Sequence, residues 1–133
     1  EMIKPHYTKL CAWVHANTNW KTFLHCCGSI YQLIPHMIDA GIDILNPIQT
    51  SATNMEPARL KQEFGGKIVF WGGGCDTRDV LPHGTPQQVA AHVRQHVDVL
   101  RPRGGSVFQQ VHNIMADVPA ENVVAMFAAV NDC

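Results

Sequence analysis

Apolar residues recur along this chain in two alternating patterns: short runs rich in β-branched, aromatic and aliphatic residues, and longer stretches with helical spacing. Short runs of the first kind predict β-strands. They occupy residues 21–26, 42–48, 67–71 and 106–112. The sequence therefore predicts four strands, each separated from the next by a stretch long enough to hold a helix.

The helical stretches have recognisable beginnings and ends. One helix is predicted at the start of the chain and one after each strand, at residues 29–40, at 57–64, after Thr85 and after Pro119. Gly41 is a natural stop for the first of these four. The segment Thr85-Pro86-Gln87-Gln88 has the pattern of a capping box with proline at the first helical position.

Strands that alternate with helices predict an α/β fold with a parallel sheet, because helical crossovers connect parallel neighbours. Two architectures fit this order. One is a compact flavodoxin-like sheet, and the other is half of a (β/α)8 TIM barrel, made of about four strand-helix units.

Composition and charge narrow the range of partners. The 133 residues are 46% hydrophobic and 16% charged, with a formal net charge of −1 and no run of Lys or Arg, so we expect neither nucleic acid nor a membrane as a partner. No apolar run is long enough to span a membrane and no signal peptide is recognisable, which predicts a cytoplasmic protein. The five cysteines lack the spacing of a disulfide framework, which favours reduced thiols or metal ligands.

Polar, chemically versatile side chains follow the predicted strands. In both candidate architectures functional groups gather at the carboxyl ends of the strands. Those expected to contact substrate are Asn46, Gln49, Gly73, Gly74 and Asn113, and Asp76 is the candidate catalytic acid or base. The structural alternative to a catalytic role for Asp76 is an Asx turn. The alternative to a substrate contact for Gly73 and Gly74 is a bend of the backbone at the barrel rim.

The end of the first strand, His25-Cys26-Cys27-Gly28, is the strongest candidate for a metal site. Side chains alternate along a strand, so His25 and Cys27 project to one side and Cys26 to the other. Imidazole and thiolate are common zinc ligands, but a zinc site needs a third protein ligand. We rank His112 first for this role, because it also ends a predicted strand, and Cys75 second.

Two more histidines, His92 and His96, lie four residues apart in the predicted helix after Thr85. Residues at this spacing share a helix face. They could bind metal as a surface pair, but solvated side chains are the simpler expectation.

The motifs resemble those of the C-terminal half of the uroporphyrinogen decarboxylase superfamily. The resemblance spans nearly the whole chain in the family's order. It is carried by Leu24-His25-Cys26-Cys27-Gly28, residues 41–49, Phe70-Trp71-Gly72-Gly73-Gly74-Cys75-Asp76-Thr77, Gly84-Thr85-Pro86, Val111-His112-Asn113-Ile114 and Pro119-Ala120-Glu121-Asn122. The family fold is one (β/α)8 barrel, so the resemblance implies that residues 1–133 are a partial barrel domain whose N-terminal half is absent.

This superfamily contains two chemistries. Its corrinoid–thiol methyltransferases carry a His-x-Cys pair on this strand and a later cysteine as zinc ligands; His25 and Cys27 match the pair, whereas His112 stands near the place of the later cysteine. Uroporphyrinogen decarboxylases proper use no metal, and a histidine near the end of this last strand helps to hold the carboxylates of the porphyrinogen; His112 resembles that histidine. Their catalytic aspartate belongs to the N-terminal half.

The resemblance therefore implies zinc as a cofactor, held by His25, Cys27 and His112, and a corrinoid as methyl donor or carrier. The implied partners are a tetrapyrrole or corrinoid substrate, a corrinoid protein, and the N-terminal half of the barrel. Decarboxylation of a porphyrinogen, and tetrapyrrole binding without turnover, are the alternatives. We expect this segment to be inactive by itself, because half a barrel leaves two strand edges open.

Overall fold

A computed structural model describes residues 2–133 and shows one parallel sheet of four strands. The strands are β1 (Phe23–His25), β2 (Ile44–Asn46), β3 (Val69–Trp71) and β4 (Ser106–Val107). Each pairs with the next strand along the chain, in the order β1-β2-β3-β4. A flavodoxin-like sheet would have a reshuffled order. The predicted half of a (β/α)8 barrel is confirmed.

Helices precede the sheet and connect its strands. Helix α1 (Lys4–Asn17) comes before β1, and a 3₁₀ turn (Tyr31–Leu33) leads into α2 (Ile34–Asp39). Helix α3 (Pro57–Phe64) precedes β3, α4 (Val80–His83) and α5 (Pro86–Leu100) precede β4, and α6 (Ala120–Asn131) follows it. The short helix α4 was not predicted from the sequence.

The capping box at the start of α5 forms as predicted. The Thr85 hydroxyl accepts a hydrogen bond from the Gln88 N–H at 3.3 Å, and Gln88 Oε1 accepts one from the Thr85 N–H at 2.8 Å. Two N–H groups at the helix start are thereby satisfied. Three apolar residues of α5 are buried: Val89, Val93 and Leu100.

All four strands are shorter than predicted, and the last strand and the first connecting helix differ most. The last strand ends at Val107 instead of residue 112, because Gly72 and Gly73 opposite it have φ values of +101° and +79° and cannot continue a regular ladder. Isolated contacts replace the ladder, among them Val111 N–H to the Cys75 carbonyl at 2.9 Å. The helix predicted over 29–40 becomes regular only at Ile34, because Pro35 lacks an N–H and favours the first turn.

The two faces of the sheet differ in burial. Leu45 and Phe70 pair in register and are both fully buried against the helices. On the opposite face Phe23 is 49% exposed and contacts Trp71 edge to face, with 5.5 Å between the ring centroids. In a closed barrel this second face is the lumen, and we call it the lumen face.

Candidate active site

A cavity of about 430 Å³ lies at the carboxyl ends of the strands. It is lined by His25, Asn46, Thr77, Arg78, Gln109, Val111, His112, Asn113 and Met115. Four residues predicted from the sequence therefore share one cavity: His25, Asn46, His112 and Asn113. Arg78 contributes a positive charge, which suits an anionic substrate group.

His25 is the last residue of β1 and pairs in register with Asn46, the last residue of β2. Its Nδ1 atom lies 2.8 Å from Asn46 Oδ1. Asn46 is 6% exposed, and its Nδ2 donates hydrogen bonds to the Trp71 carbonyl at 3.1 Å and to Gln109 Oε1 at 3.4 Å. The amide predicted to contact substrate is thus held beside the imidazole by neighbouring strand ends.

Gln49 connects the loop after β1 with His112. Its Oε1 accepts a hydrogen bond from the Gly28 N–H at 2.8 Å and lies 3.2 Å from His112 Nε2. The His112 backbone N–H also donates to the Thr77 hydroxyl at 3.2 Å. The prediction that His112 ends a strand in the same way as His25 is wrong, since β4 ends at Val107. These side-chain contacts nevertheless place His112 at the cavity.

The first two predicted metal ligands are both accessible, and their binding of a metal stays a prediction. His25 and Cys27 are exposed, whereas the intervening Cys26 packs against the core. Burial, with a smaller contribution from Cys27, raises the pKa of Cys26, which disfavours the thiolate there. The pair His25 and Cys27 therefore suits zinc, which binds imidazole and thiolate.

The third ligand is not assembled with this pair. Within residues 2–133, no three His, Cys, Asp or Glu side chains come close enough together to hold one metal ion. His112 is engaged with Gln49. Cys75 is fully buried, and burial together with Asp76 raises its pKa to about 12, so that it remains a protonated thiol. His112 lines the same cavity as His25, whereas Cys75 does not, which favours His112 over Cys75 as the third ligand.

The glycine loop after β3 is packed against protein. A Cβ atom on Gly73 would lie 2.9 Å from Ile48 Cβ, and one on Gly74 would overlap the Phe108 ring. Both glycines are buried, so close packing of the loops explains them without a ligand. Their contact with substrate stays a prediction.

Asp76 forms an Asx turn, which is the structural alternative to a catalytic role. Its carboxylate accepts hydrogen bonds from the backbone N–H groups of Arg78 at 3.3 Å and Asp79 at 3.0 Å, and the residue is 6% exposed. These bonds shape the start of α4. A catalytic role for Asp76 stays a prediction.

His92 differs from its sequence-based interpretation. It is half-buried, and its Nε2 accepts a hydrogen bond from the Asp76 N–H at 3.2 Å. Burial, followed by the charge of His96, lowers its pKa to about 4. The expectation of a solvated surface pair is therefore wrong for His92, because α5 presents this face to the loop after β3.

Sequence reasoning also missed Trp71, Gln109, Thr77 and Arg78. Trp71 could have been found from register, because it ends β3 as Asn46 ends β2. Gln109 lies beyond the regular part of β4. The two-residue alternation of a strand therefore does not predict the direction of its side chain.

Comparison with known proteins gives the family. The family model described as uroporphyrinogen decarboxylase (URO-D) matches residues 1–133. The chain belongs to the uroporphyrinogen decarboxylase family. The family resemblance of the motifs is thereby confirmed over the whole chain. A search of curated proteins gave no match.

A solved structure shares the fold. It is a methyltransferase from Methanosarcina mazei, with 22% sequence identity and a TM-score of 0.72. The match covers 98% of this chain and 35% of the methyltransferase chain. The present chain thus spans about a third of that protein's length.

Among residues 2–133, no helix combines the length and apolar character needed to cross a membrane.

Proposed function

We propose that this chain forms the C-terminal half of an enzyme of the uroporphyrinogen decarboxylase family that transfers a methyl group between a corrinoid and a thiol or related acceptor. The single observation that supports this most is the placement of His25 and Cys27. Both are exposed at the carboxyl end of β1, while Cys26 between them faces the core. This alternation is what a His-x-Cys metal pair requires.

In this proposal zinc is the cofactor, held by His25 and Cys27 with His112 as third ligand. When bound, zinc would lower the pKa of a coordinated substrate thiol, so that a thiolate is available at neutral pH. Because His112 Nε2 lies 3.2 Å from Gln49 Oε1, His112 would bind the metal either through Nδ1 with this contact kept, or through Nε2 with the contact given up. Arg78 and Asn113 line the same cavity and would orient polar groups of the substrate.

The N-terminal half of a barrel is the proposed partner of the lumen face. Phe23 on β1 and Val107 on β4 are 49% and 36% exposed, and they lie on the two outer strands of the sheet. Outer strands have unpaired backbone groups on one side, which a further strand would satisfy. We propose that activity requires this half, and that a corrinoid protein delivers the methyl group.

Metal analysis of the intact protein tests the zinc site. We expect stoichiometric zinc in the wild type, loss of zinc in Cys27→Ser and retention in Cys26→Ser, the matched control whose thiol faces the core. Wild-type protein without bound zinc after growth in zinc-supplemented medium would refute the site. Equal loss in both variants would argue for general unfolding.

Decarboxylation of a porphyrinogen is the second candidate, and the contact between His112 and Gln49 favours it. A cavity with two imidazoles and Arg78 can bind carboxylates without a metal. Release of carbon dioxide from uroporphyrinogen, compared with methyl transfer from methylcobalamin, separates the two reactions. Tetrapyrrole binding with neither activity would favour a binding protein.

A further inference from the structure

The orientation of the Asn46 side-chain amide is determined by the hydrogen bond that its nitrogen donates. Nδ2 of Asn46 lies 3.1 Å from the carbonyl oxygen of Trp71, which can only accept a hydrogen bond. The nitrogen of the amide must therefore face Trp71, and the oxygen must face His25.

This orientation decides which nitrogen of His25 carries the proton. Asn46 Oδ1 can only accept, so the His25 Nδ1 atom 2.8 Å away must donate. A neutral imidazole with a proton on Nδ1 has its lone pair on Nε2. The cavity-lining side chain of His25 thus presents a basic Nε2.

Gln109 supports the same orientation from the far end. Its Oε1 accepts a hydrogen bond from the Trp71 indole N–H at 2.6 Å and faces Asn46 Nδ2 at 3.4 Å. An indole nitrogen can only donate, so the oxygen of Gln109 is the atom that faces both partners. His25, Asn46, Gln109 and Trp71 form one hydrogen-bonded chain. The Trp71 carbonyl, which can only accept, determines the orientation of the Asn46 amide. The Trp71 indole N–H, which can only donate, determines that of the Gln109 amide.

We propose that Asn46 is a positioning residue of the active site: held by the Trp71 carbonyl and by Gln109, its amide oxygen keeps His25 in the Nδ1–H tautomer, with the Nε2 lone pair available to a metal ion or substrate. The inference rests on the proposed function in one respect: in that function His25 binds the metal ion or the substrate. A partner that orients the ring and selects its tautomer typically changes metal affinity or activity about 10–100-fold when it is removed.

Nitrogen NMR of the intact, metal-free protein with 15N-labelled histidine tests this proposal. The spectra are recorded above the ordinary histidine pKa, where the tautomer of a neutral imidazole is read from the shifts of Nδ1 and Nε2. We expect wild-type His25 to be predominantly the Nδ1–H form. Asn46→Leu should shift His25 towards the Nε2–H form that a free imidazole favours, whereas Asn46→Asp, which keeps an acceptor oxygen, should retain the Nδ1–H form.

Gln110→Leu is the control, because it also replaces a side-chain amide by leucine but lies outside the hydrogen-bonded chain. A wild-type His25 in the Nε2–H form would overturn the proposal. So would an unchanged tautomer in a folded Asn46→Leu protein. If that variant does not fold, Asn46→Ala removes the acceptor without adding bulk, and an unchanged tautomer there would equally overturn it.

Zinc titration of the same proteins separates this inference from the proposed function. Zinc affinity about 10–100-fold weaker in Asn46→Leu than in Gln110→Leu would support both. If neither the wild type nor any variant binds zinc, the proposed metal site fails, while the NMR result still decides the role of Asn46.

Discussion

The imidazole of His92 accepts a hydrogen bond from the backbone N–H of Asp76, with 3.2 Å between the two nitrogens. This bond joins α5 to the loop after β3. The same loop carries Thr77, whose hydroxyl accepts a hydrogen bond from the His112 N–H. Helix α5 therefore supports one wall of the cavity, although His92 does not line it.

The low pKa of His92 makes the stability of the fold depend on pH. Burial and the nearby His96 lower this pKa from 6.5 to about 4, whereas the unfolded chain titrates near 6.5. The unfolded state therefore binds more protons between these values, and stability falls as the pH is lowered from about 6.5 to about 4. After a discount for solvent screening we expect a loss of roughly 1–2 kcal/mol.

Urea unfolding across this pH range measures the effect. The variant His92→Gln should show a flatter pH dependence, while His83→Gln, a change at an exposed histidine, should follow the wild type. Equal slopes in all three proteins would contradict the assignment.

Asp43 connects α1 with the amino ends of β1 and β2. Burial alone would raise its pKa, but hydrogen bonds from Thr22 and His15 outweigh burial and hold the pKa below its ordinary value. The bonds join Asp43 Oδ2 to the Thr22 N–H at 2.7 Å, the Thr22 hydroxyl at 3.0 Å and His15 Nε2 at 2.7 Å. Their contribution is present above the ordinary aspartate pKa of about 3.9 and is lost as the pH falls through the lowered value.

We expect Asp43→Asn to reduce the free energy of unfolding by about 1–2 kcal/mol at neutral pH, because a charged acceptor is replaced by a neutral one. The difference from wild type should shrink in acid. Asp98→Asn, on the exposed side of α5, should change stability little. A constant difference at every pH would show that charge is not the cause.

Asn122 holds α6 against the segment around α4. It is 1% exposed, and its Nδ2 donates to the carbonyls of Leu81 at 2.9 Å and Gly84 at 2.8 Å. Asn122→Ala should lower stability by roughly 2–3 kcal/mol, because two acceptors lose their donor in a buried site. Asn131→Ala, an exposed change on the same helix, should cost far less in denaturant unfolding. Similar losses in both variants would argue against a specific role for the buried amide.

Gly74 allows the loop after β3 to approach Phe108. Because a Cβ atom there would overlap the Phe108 ring, Gly74→Ala should destabilise the fold by about 1–3 kcal/mol. Adding Phe108→Leu should recover part of this loss, whereas Gly66→Ala, which meets no atom within 4 Å, should be nearly neutral. Thermal unfolding of the wild type, both single variants, the double variant and Gly66→Ala tests the pair, and simple additivity of the two single losses would contradict a direct clash.

The order of elements follows from local sequence. The strand-helix alternation, the capping box at Thr85 and the shared side of His25 and Cys27 depend on residues within a few positions of one another, because backbone geometry sets the periods of strands and helices. The alternation and the capping box are present in the structure, and His25 and Cys27 are both exposed while Cys26 packs against the core. The motifs also carried the family resemblance, which the match over residues 1–133 confirms.

Tertiary structure decided which side chains meet. The bond from Asp76 to His92 spans 16 residues, and that from Asn46 to Gln109 spans 63; neither separation corresponds to a helix or strand period. The end of β4 depends on glycines in a neighbouring loop, and the neutral state of His92 depends on its burial beside that loop. Sequence alone thus determined the units and one pair of candidate ligands, while packing of distant loops determined the hydrogen bonds that orient the site.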